Sequence, residues 1–341
     1  VAFDEPINDA TFTNADVSVG GTATTGAVTV IEVAPNDDTT FEVSIVVTVD
    51  GTVVPTIPAG GVEDPVGNTN TVSTSTDNTV TVDTNSPDVN SVDVDTAVMY
   101  EGDLIQQVTV TFDETMDTAI DPTITFGAGT FVSNSDGAWS IGDTVWIETF
   151  TLTDNNQEIT VVTVDVTGAK DVAGNDQSAY AEVDEFDIDT LAPTVTSITR
   201  DDPNPTRAAQ VYIQVDFSED VNGMSSANFS IDATGGQATA SIDSTGGADA
   251  VWWVLVNTVD DATGTLSVDL DSSLSSITDD AGNELAVAYT AGEAYDVDRL
   301  DPQVISVTVD TDPIYEGDTE LVVTVDFDEA MTGNPSISFS G

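Results

Sequence analysis

The chain has 341 residues, of which 62 are Asp or Glu and only 4 are Lys or Arg; it has no His and no Cys, and its formal net charge at pH 7 is −58. That inventory excludes the ordinary zinc, haem and iron–sulfur ligand sets and any His-based nucleophile relay. Lys170, Arg200, Arg207 and Arg299 are the whole cation set, too few to neutralise a run of phosphates, so nucleic acid and anionic membranes are excluded as partners.

The length predicts about two to three domains, and a hydrophobic fraction of 39 % supplies their cores. High acidity alone would predict disorder, but ordered alternation runs through the chain. No P-loop string occurs, and no apolar run is long enough to span a bilayer.

Three signatures recur in fixed order along the sequence. The chain opens with the first of them, an alternating strand that ends in Phe and meets acids, VAFDEPI at Val1–Ile7. It returns as VTFDETM at Val110–Met116, VDFSEDV at Val215–Val221 and VDFDEAM at Val325–Met331. The second is D-x-x-G-N, at Asp64–Asn68, Asp171–Asn175 and Asp279–Asn283. The third is an apolar-Asp-x-x-x-Pro-x-Val junction at Val82–Val89, Ile188–Val195 and Val297–Val304. A common period of about 107 residues is too long for a solenoid repeat, so each unit should own a core.

Between these markers the pattern is strand after strand. Val108, Val110 and Phe112 fall at period two. Val211, Ile213, Val215 and Phe217 do the same, with Tyr212, Gln214 and Asp216 on the opposite phase. Ile159–Val166 and Leu266–Leu270 read as half-buried strands, and Gly, Asn, Asp and Pro clusters separate them. Seven strands in roughly 105 residues predict an immunoglobulin-like sandwich. The fold class expected is therefore all-β, with tandem immunoglobulin-like β-sandwich domains in a linear array. Residues 1–84 read as a repeat lacking its first strands, 87–189 and 193–298 as whole repeats, and 302–341 as the first strands of another. These ends read as a window from a longer repeat protein; the alternative is head-to-tail assembly in which 302–341 of one chain completes the first unit of the next by strand addition, although 325–341 would then duplicate the phase of the first residues.

The stretches APTVTSITRDDPNPT (192–206), VDFSEDVNGMSSANFSI (215–231), ITDDAGNELAVAYTAGEAYDVD (277–298) and IPAGGVEDPVGNTNTVSTSTDNTVTVDT (57–84) resemble the bacterial Ig-like repeats of giant surface proteins of the adhesin type. The resemblance implies an extracellular, cell-surface stalk, fibre or coat, often loaded with calcium. It implies as partners other repeats of the same or neighbouring chains, with surface glycan or protein as further candidates.

Sandwich topology brings the three signatures to one joint. The turn after the second strand, the turn before the last strand and the incoming linker all lie at the N-terminal pole. The joint before the second repeat would then collect Asp83, with Asp88 nearby, Asp113, Glu114, Asp171 and Asn175. The next would collect Asp189, Glu219, Asp220, Asp279 and Asn283, with Ser218 in place of an Asp weakening or remodelling that site. Asp298 and Asp301 with Asp328 and Glu329 form half of another joint, and Asp4, Glu5, Asp64 and Asn68 half of the first. Calcium takes six to eight oxygens in flexible geometry, which such clusters offer.

Plainer readings stand beside this one. D-x-x-G-N is also a turn whose Gly supplies positive φ and whose Asp supplies a side-chain hydrogen bond. The F-D-E acids are also a solvated loop. The turns at Tyr100–Asp103 and Tyr315–Asp318 read as ordinary turns, although Glu101 or Asp103 lies within reach of the joint near Asp189. Trp139, Trp146, Trp252 and Trp253 read as core or edge aromatics, and Asn228 carries a lone glycosylation sequon. Acids that recur with the fold period do not read as an active site, so no enzyme is expected. The alternatives to a calcium-stiffened structural array are an adhesin segment that binds glycan or protein, and an acidic, salt-adapted spacer without specific ion sites.

Overall fold

The computed structural model describes residues 1–140, 142–310 and 312–340, and of residues 182–184 the backbone only. Thr311 and Gly341, which fall in the predicted fourth segment, and Ile141 in the second repeat lie outside the described residues. Among the described residues the regular secondary structure is β, relieved by five short 3₁₀ segments such as Ser226–Asn228. No helix among the described residues is long and apolar enough to cross a membrane. The chain forms two compact units: Val1–Ala97, Ile105–Thr153 and Ile159–Asp187 make one, and Val98–Leu104, Asp154–Glu158 and Ile188–Gly341 the other.

The second unit holds the clearest sandwich. One sheet runs in the order Val195–Arg200, Gln210–Phe217, Val251–Asn257, Ser241–Ala248, and the other in the order Phe229–Ala233, Thr263–Leu270, Tyr295–Asp298. Lettered A to G along the chain, these are A-B-E-D against C-F-G, the seven-stranded constant-type immunoglobulin topology. Strict alternation builds its core. Val211, Ile213, Val215 and Phe217 face inward from strand B and meet Leu266, Val268 and Leu270 from strand F, with Tyr295 and Val297 from G. The Tyr295 hydroxyl, carried into the core on its ring, accepts a hydrogen bond from the Asp202 amide and donates one to the Tyr212 carbonyl. A hairpin of Val304–Val309 with Val323–Phe327 follows.

In the first unit the same order recurs. Val89–Val94, Ile105–Phe112, Val145–Leu152 and Phe131–Ser133 form A-B-E-D, with Ala138–Ser140 also on the E strand. Thr123–Phe126, Glu158–Thr167 and Tyr180–Asp189 supply C-F-G. Phe126 and Phe186 from the second sheet meet Phe131 and Phe150 from the first, and the Phe126–Phe131 rings stack at 4.0 Å. Ahead of this sandwich, Ser18–Gly21, Gly51–Thr56 and Val80–Val82 form a C-F-G sheet, and Thr24–Glu32 pairs with Phe41–Val49 as D with E. Their core gathers around Phe3, Phe12 and Phe41, whose rings meet edge to face. The fold class is all-β, with repeated immunoglobulin-like sandwiches.

In Val89–Val94, Val195–Arg200 and Val304–Val309 the pairing register slips at the same place, between the first and third residues. That bulge turns each A strand out of its junction and sets the position of the F-D-E loop beside it.

Candidate metal centres

Each D-x-x-G-N loop is a clamp around its own Asp. In the first unit the Asp171 carboxylate accepts from the amides of Gly174 at 2.6 Å and Asn175 at 2.8 Å, and from Asn175 Nδ2 at 2.7 Å. In the second unit Asp279 accepts from Gly282 at 2.7 Å, Asn283 at 2.9 Å and Asn283 Nδ2 at 2.8 Å. Asp64 makes the same set with Asn68. Gly174 and Gly282 sit at φ +95° and +109°, a conformation open to Gly at little cost. The Asn then reaches back to the junction: Asn175 Nδ2 donates to the Asp83 carbonyl and Asn283 Nδ2 to the Asp189 carbonyl.

The junction acids are also preset. Asp83, Asp189 and Asp298 each accept from the amide two residues on, at Asn85, Leu191 and Leu300, a side-chain turn that Asp favours. With the glutamate of the F-D-E loop, two triads result. Asp83, Glu114 and Asp171 place one carboxylate oxygen each within 4.8 Å of one another in the first unit, and Asp189, Glu219 and Asp279 do so in the second. Asp171 and Asp279 are the buried members, 1 % and 3 % exposed.

Crowding like charges has electrostatic consequences. Desolvation, then Asp83, Asp171 and Asp113, push the Glu114 carboxyl above the usual carboxylate range. Desolvation, then Asp279 and Asp189, push Glu219 up to about 7. Desolvation, Asp279 and Glu158 raise Asp189 as well. Burial pushes Asp171 up too, but its hydrogen bonds from Asn175, Gly174 and Ala173 outweigh burial and hold it below the usual range. Each triad therefore sets a buried, hydrogen-bonded aspartate against a glutamate that resists ionisation, which is the tension a divalent cation would relieve.

The other sequence-predicted residues take different places. Asp113 accepts from the Asp88 amide at 2.9 Å and donates its own amide back to the Asp88 carbonyl. Asp328 repeats this with Gln303, and Ser218 does so with Thr194, its hydroxyl accepting at 2.9 Å. The first position of F-D-E is thus a brace across the bulged A strand. Ser218 performs the same brace, and Asp189, Glu219 and Asp279 still converge beside it. Asp220 is exposed and stands outside the triad. Asn175 and Asn283 turn their nitrogens toward the carboxylates and act as clamps; the Asn283 oxygen is taken by the Glu101 amide at 2.8 Å. It is this backbone group through which the Tyr100–Asp103 turn reaches the site.

Asp4 and Glu5 line an open cleft of about 950 Å³ together with Asp64 and Asn68. Desolvation, then Asp298, Asp328 and Asp301, raise the Glu329 carboxyl, which echoes the complete triads. Sequence reasoning missed Glu158, whose charge acts on both Asp189 and Glu219; it opens a strand and belongs to no recurring motif. The lone sequon does not present its Asn to solvent. Asn228 is fully buried, and its Nδ2 donates to Ser272 and Ser273 carbonyls and to Ser276 Oγ.

No family model matches the sequence, and no curated protein matches it. Among solved structures, the chain is similar to invasin, described as a bacterial integrin-binding protein, at 11 % identity and a TM-score of 0.37 over 92 % of this chain and 60 % of that one. It is also similar to the N-terminal part of the bacterial S-layer protein SbsC, at 20 % identity and a TM-score of 0.20 over 62 % of this chain and 44 % of that one. A third is the eight N-terminal Ig domains of Down syndrome cell adhesion molecule, at 11 % and 0.23, over 84 % and 36 %. The chain thus spans 60 % of the length of invasin and less of the other two. The A-B-E-D/C-F-G strand order, independent of these superpositions, carries the fold.

Proposed function

We propose that this chain is part of an extracellular structural array, a stalk, fibre or surface coat, whose junctions are stiffened by calcium. Asp83, Glu114 and Asp171 would hold one ion, and Asp189, Glu219 and Asp279 another. The observation that carries this reading is the repeated triad: three separate loops bring one carboxylate each to the same spot, twice, on the same braced scaffold. Three carboxylates plus nearby backbone carbonyls suit calcium's hard, oxygen-rich and flexible coordination better than magnesium's strict octahedron.

The ion would supply charge neutralisation, and the protein supplies placement. The D-x-x-G-N clamp fixes Asp171 or Asp279 in place, the side-chain turn aims the junction Asp, and the F-D-E brace sets the Glu. A site of the strength of extracellular modules, with Kd about 0.1–1 mM, adds about 0.8–2 kcal/mol at a few mM calcium. That is small beside a domain's stability of about 5–15 kcal/mol, so the ion acts chiefly on the junction. Acids that repeat with the fold period, in loops braced for rigidity, support a structural role over a catalytic one.

Small-angle scattering of the whole chain tests this, with calcium titrated at constant ionic strength beside magnesium and sodium. Calcium should narrow the distribution of interatomic distances at millimolar concentration, and Glu114→Gln with Glu219→Gln should abolish the change. Equal effects from magnesium or sodium, or an unchanged response in the double variant, would overturn the proposal.

A further inference from the structure

On the outer face of the second unit's A-B-E-D sheet, two aromatic residues stand where the sandwich has no use for them. Tyr212 is 42 % exposed and Trp253 is 37 % exposed, and their rings meet edge to face at 5.6 Å and 78°. Trp253 lies over Gly246, where any Cβ would run into the indole. Counting back from the Phe that ends each B strand, the position of Tyr212 holds Gln107 in the preceding repeat and Val322 in the following one, and the position of Trp253 holds Ile147. The fold therefore tolerates non-aromatic residues at both places. A hollow of about 220 Å³ opens beside the pair, lined also by Asp201, Gln214, Val251 and Trp252. Asp201 is exposed, and its carboxylate takes no hydrogen bond from the described residues.

We propose that this corner binds an organic cation of the quaternary-ammonium class, with Tyr212 and Trp253 as two perpendicular walls and Asp201 as the counter-charge. Aromatic faces carry negative quadrupole and attract weakly hydrated cations. The carboxylate adds to that attraction, and a chain of net charge −58 concentrates cations and repels anionic ligands. A trimethylammonium head fits within the hollow and has no hydrogen-bonding needs that the aromatic walls would leave unmet. A second copy of this chain would bring like charge to the same face and is disfavoured.

Choline is the probe. Its N-methyl protons are followed by saturation-transfer NMR, and its heat of binding by calorimetry, on the full chain in excess calcium so that the acid triads do not contribute. Choline should bind in the millimolar range and methyl glucoside should not. Tyr212→Ala and Trp253→Ala should each weaken binding by about two- to fivefold, the scale of one exposed cation–aromatic contact, and Asp201→Asn by about twofold. Both aromatics are surface residues, and unchanged thermal unfolding of the variants confirms their folding. Binding of the glucoside with choline silent would overturn the proposal, as would choline binding that survives the double aromatic substitution or vanishes when equal sodium chloride replaces the buffer salt.

Discussion

Replacing Glu219 by Gln keeps the side chain's shape and removes its charge, so it isolates the cost of the crowded triad. In the folded chain the Glu219 carboxyl is raised from an ordinary 4.5 to about 7 by desolvation and by Asp279 and Asp189. Below pH 4.5 the group is neutral in both folded and unfolded chains and costs nothing. Between 4.5 and 7 the unfolded chain releases the proton while the folded chain retains it, so stability falls as pH rises; above 7 the loss is complete. At 1.36 kcal/mol per unit the ceiling is about 3.4 kcal/mol. Glu219 is only partly buried, and solvent screening reduces this to about 1–2 kcal/mol. A sandwich of about 100 residues gains about 4–8 °C per kcal/mol. Glu219→Gln should therefore raise one calorimetric transition by about 5–10 °C at pH 8 in chelator and leave it nearly unmoved at pH 4.5. Calcium at pH 8 should raise the same transition in the unsubstituted chain and not in the variant, because the ion replaces the repulsion with attraction. A difference between the two proteins that is equal at pH 4.5 and pH 8, or equal stabilisation of both by calcium, would refute the reasoning.

Gln106 is fully buried with neither amide atom hydrogen-bonded; Gln106→Leu should stabilise the first unit by about 1–3 kcal/mol, read from its denaturant midpoint. Asn175→Ala strips the Asp171 carboxylate and the Asp83 carbonyl of a shared donor, and should cost about 1.5–3 kcal/mol by the same assay. Asp113→Ala removes only the brace to Asp88 and should leave calcium affinity within a few-fold, whereas Glu114→Gln should lower it by about tenfold or more, as measured by terbium displacement. Equal losses in those last two variants would place Asp113 among the ligands after all.

The repeat and the strand phase were legible in the sequence because each depends on spacing alone, and the convergence of three loops because an immunoglobulin-like topology puts those turns at one pole. Period two places Gln106 on the same inward phase as Val108, Val110 and Phe112, so even the polar defect in the core can be read from the sequence. The two acids of F-D-E are harder to separate by inspection, since adjacent carboxylates offer the same atoms. The copies themselves hold the answer. The second position is Glu in all four, at Glu5, Glu114, Glu219 and Glu329, while the first admits Ser218. A hydroxyl accepts one amide hydrogen bond as well as a carboxylate does, but it cannot supply the negative charge that a cation site needs. Tolerance of Ser at the first position therefore marks a brace, and retention of Glu at the second is what the proposed ion site would require. In the same way, Asn at D-x-x-G-N is retained for a nitrogen as much as for an oxygen, since one amide ties the clamped Asp to the junction carbonyl. What spacing could not supply was register. Tyr212 and Trp253 both point outward by phase, but their meeting depends on the pairing of Gln214 with Trp253 and on the absence of a side chain at Gly246. Asn228 shows the converse: a three-residue sequon says nothing of exposure, and its Asn lies at the end of a short 3₁₀ segment that the sandwich buries. Chemistry that follows from a strand, a loop or a known topology is thus readable from the chain, and chemistry that depends on the register between paired strands becomes readable only once the sheets are built.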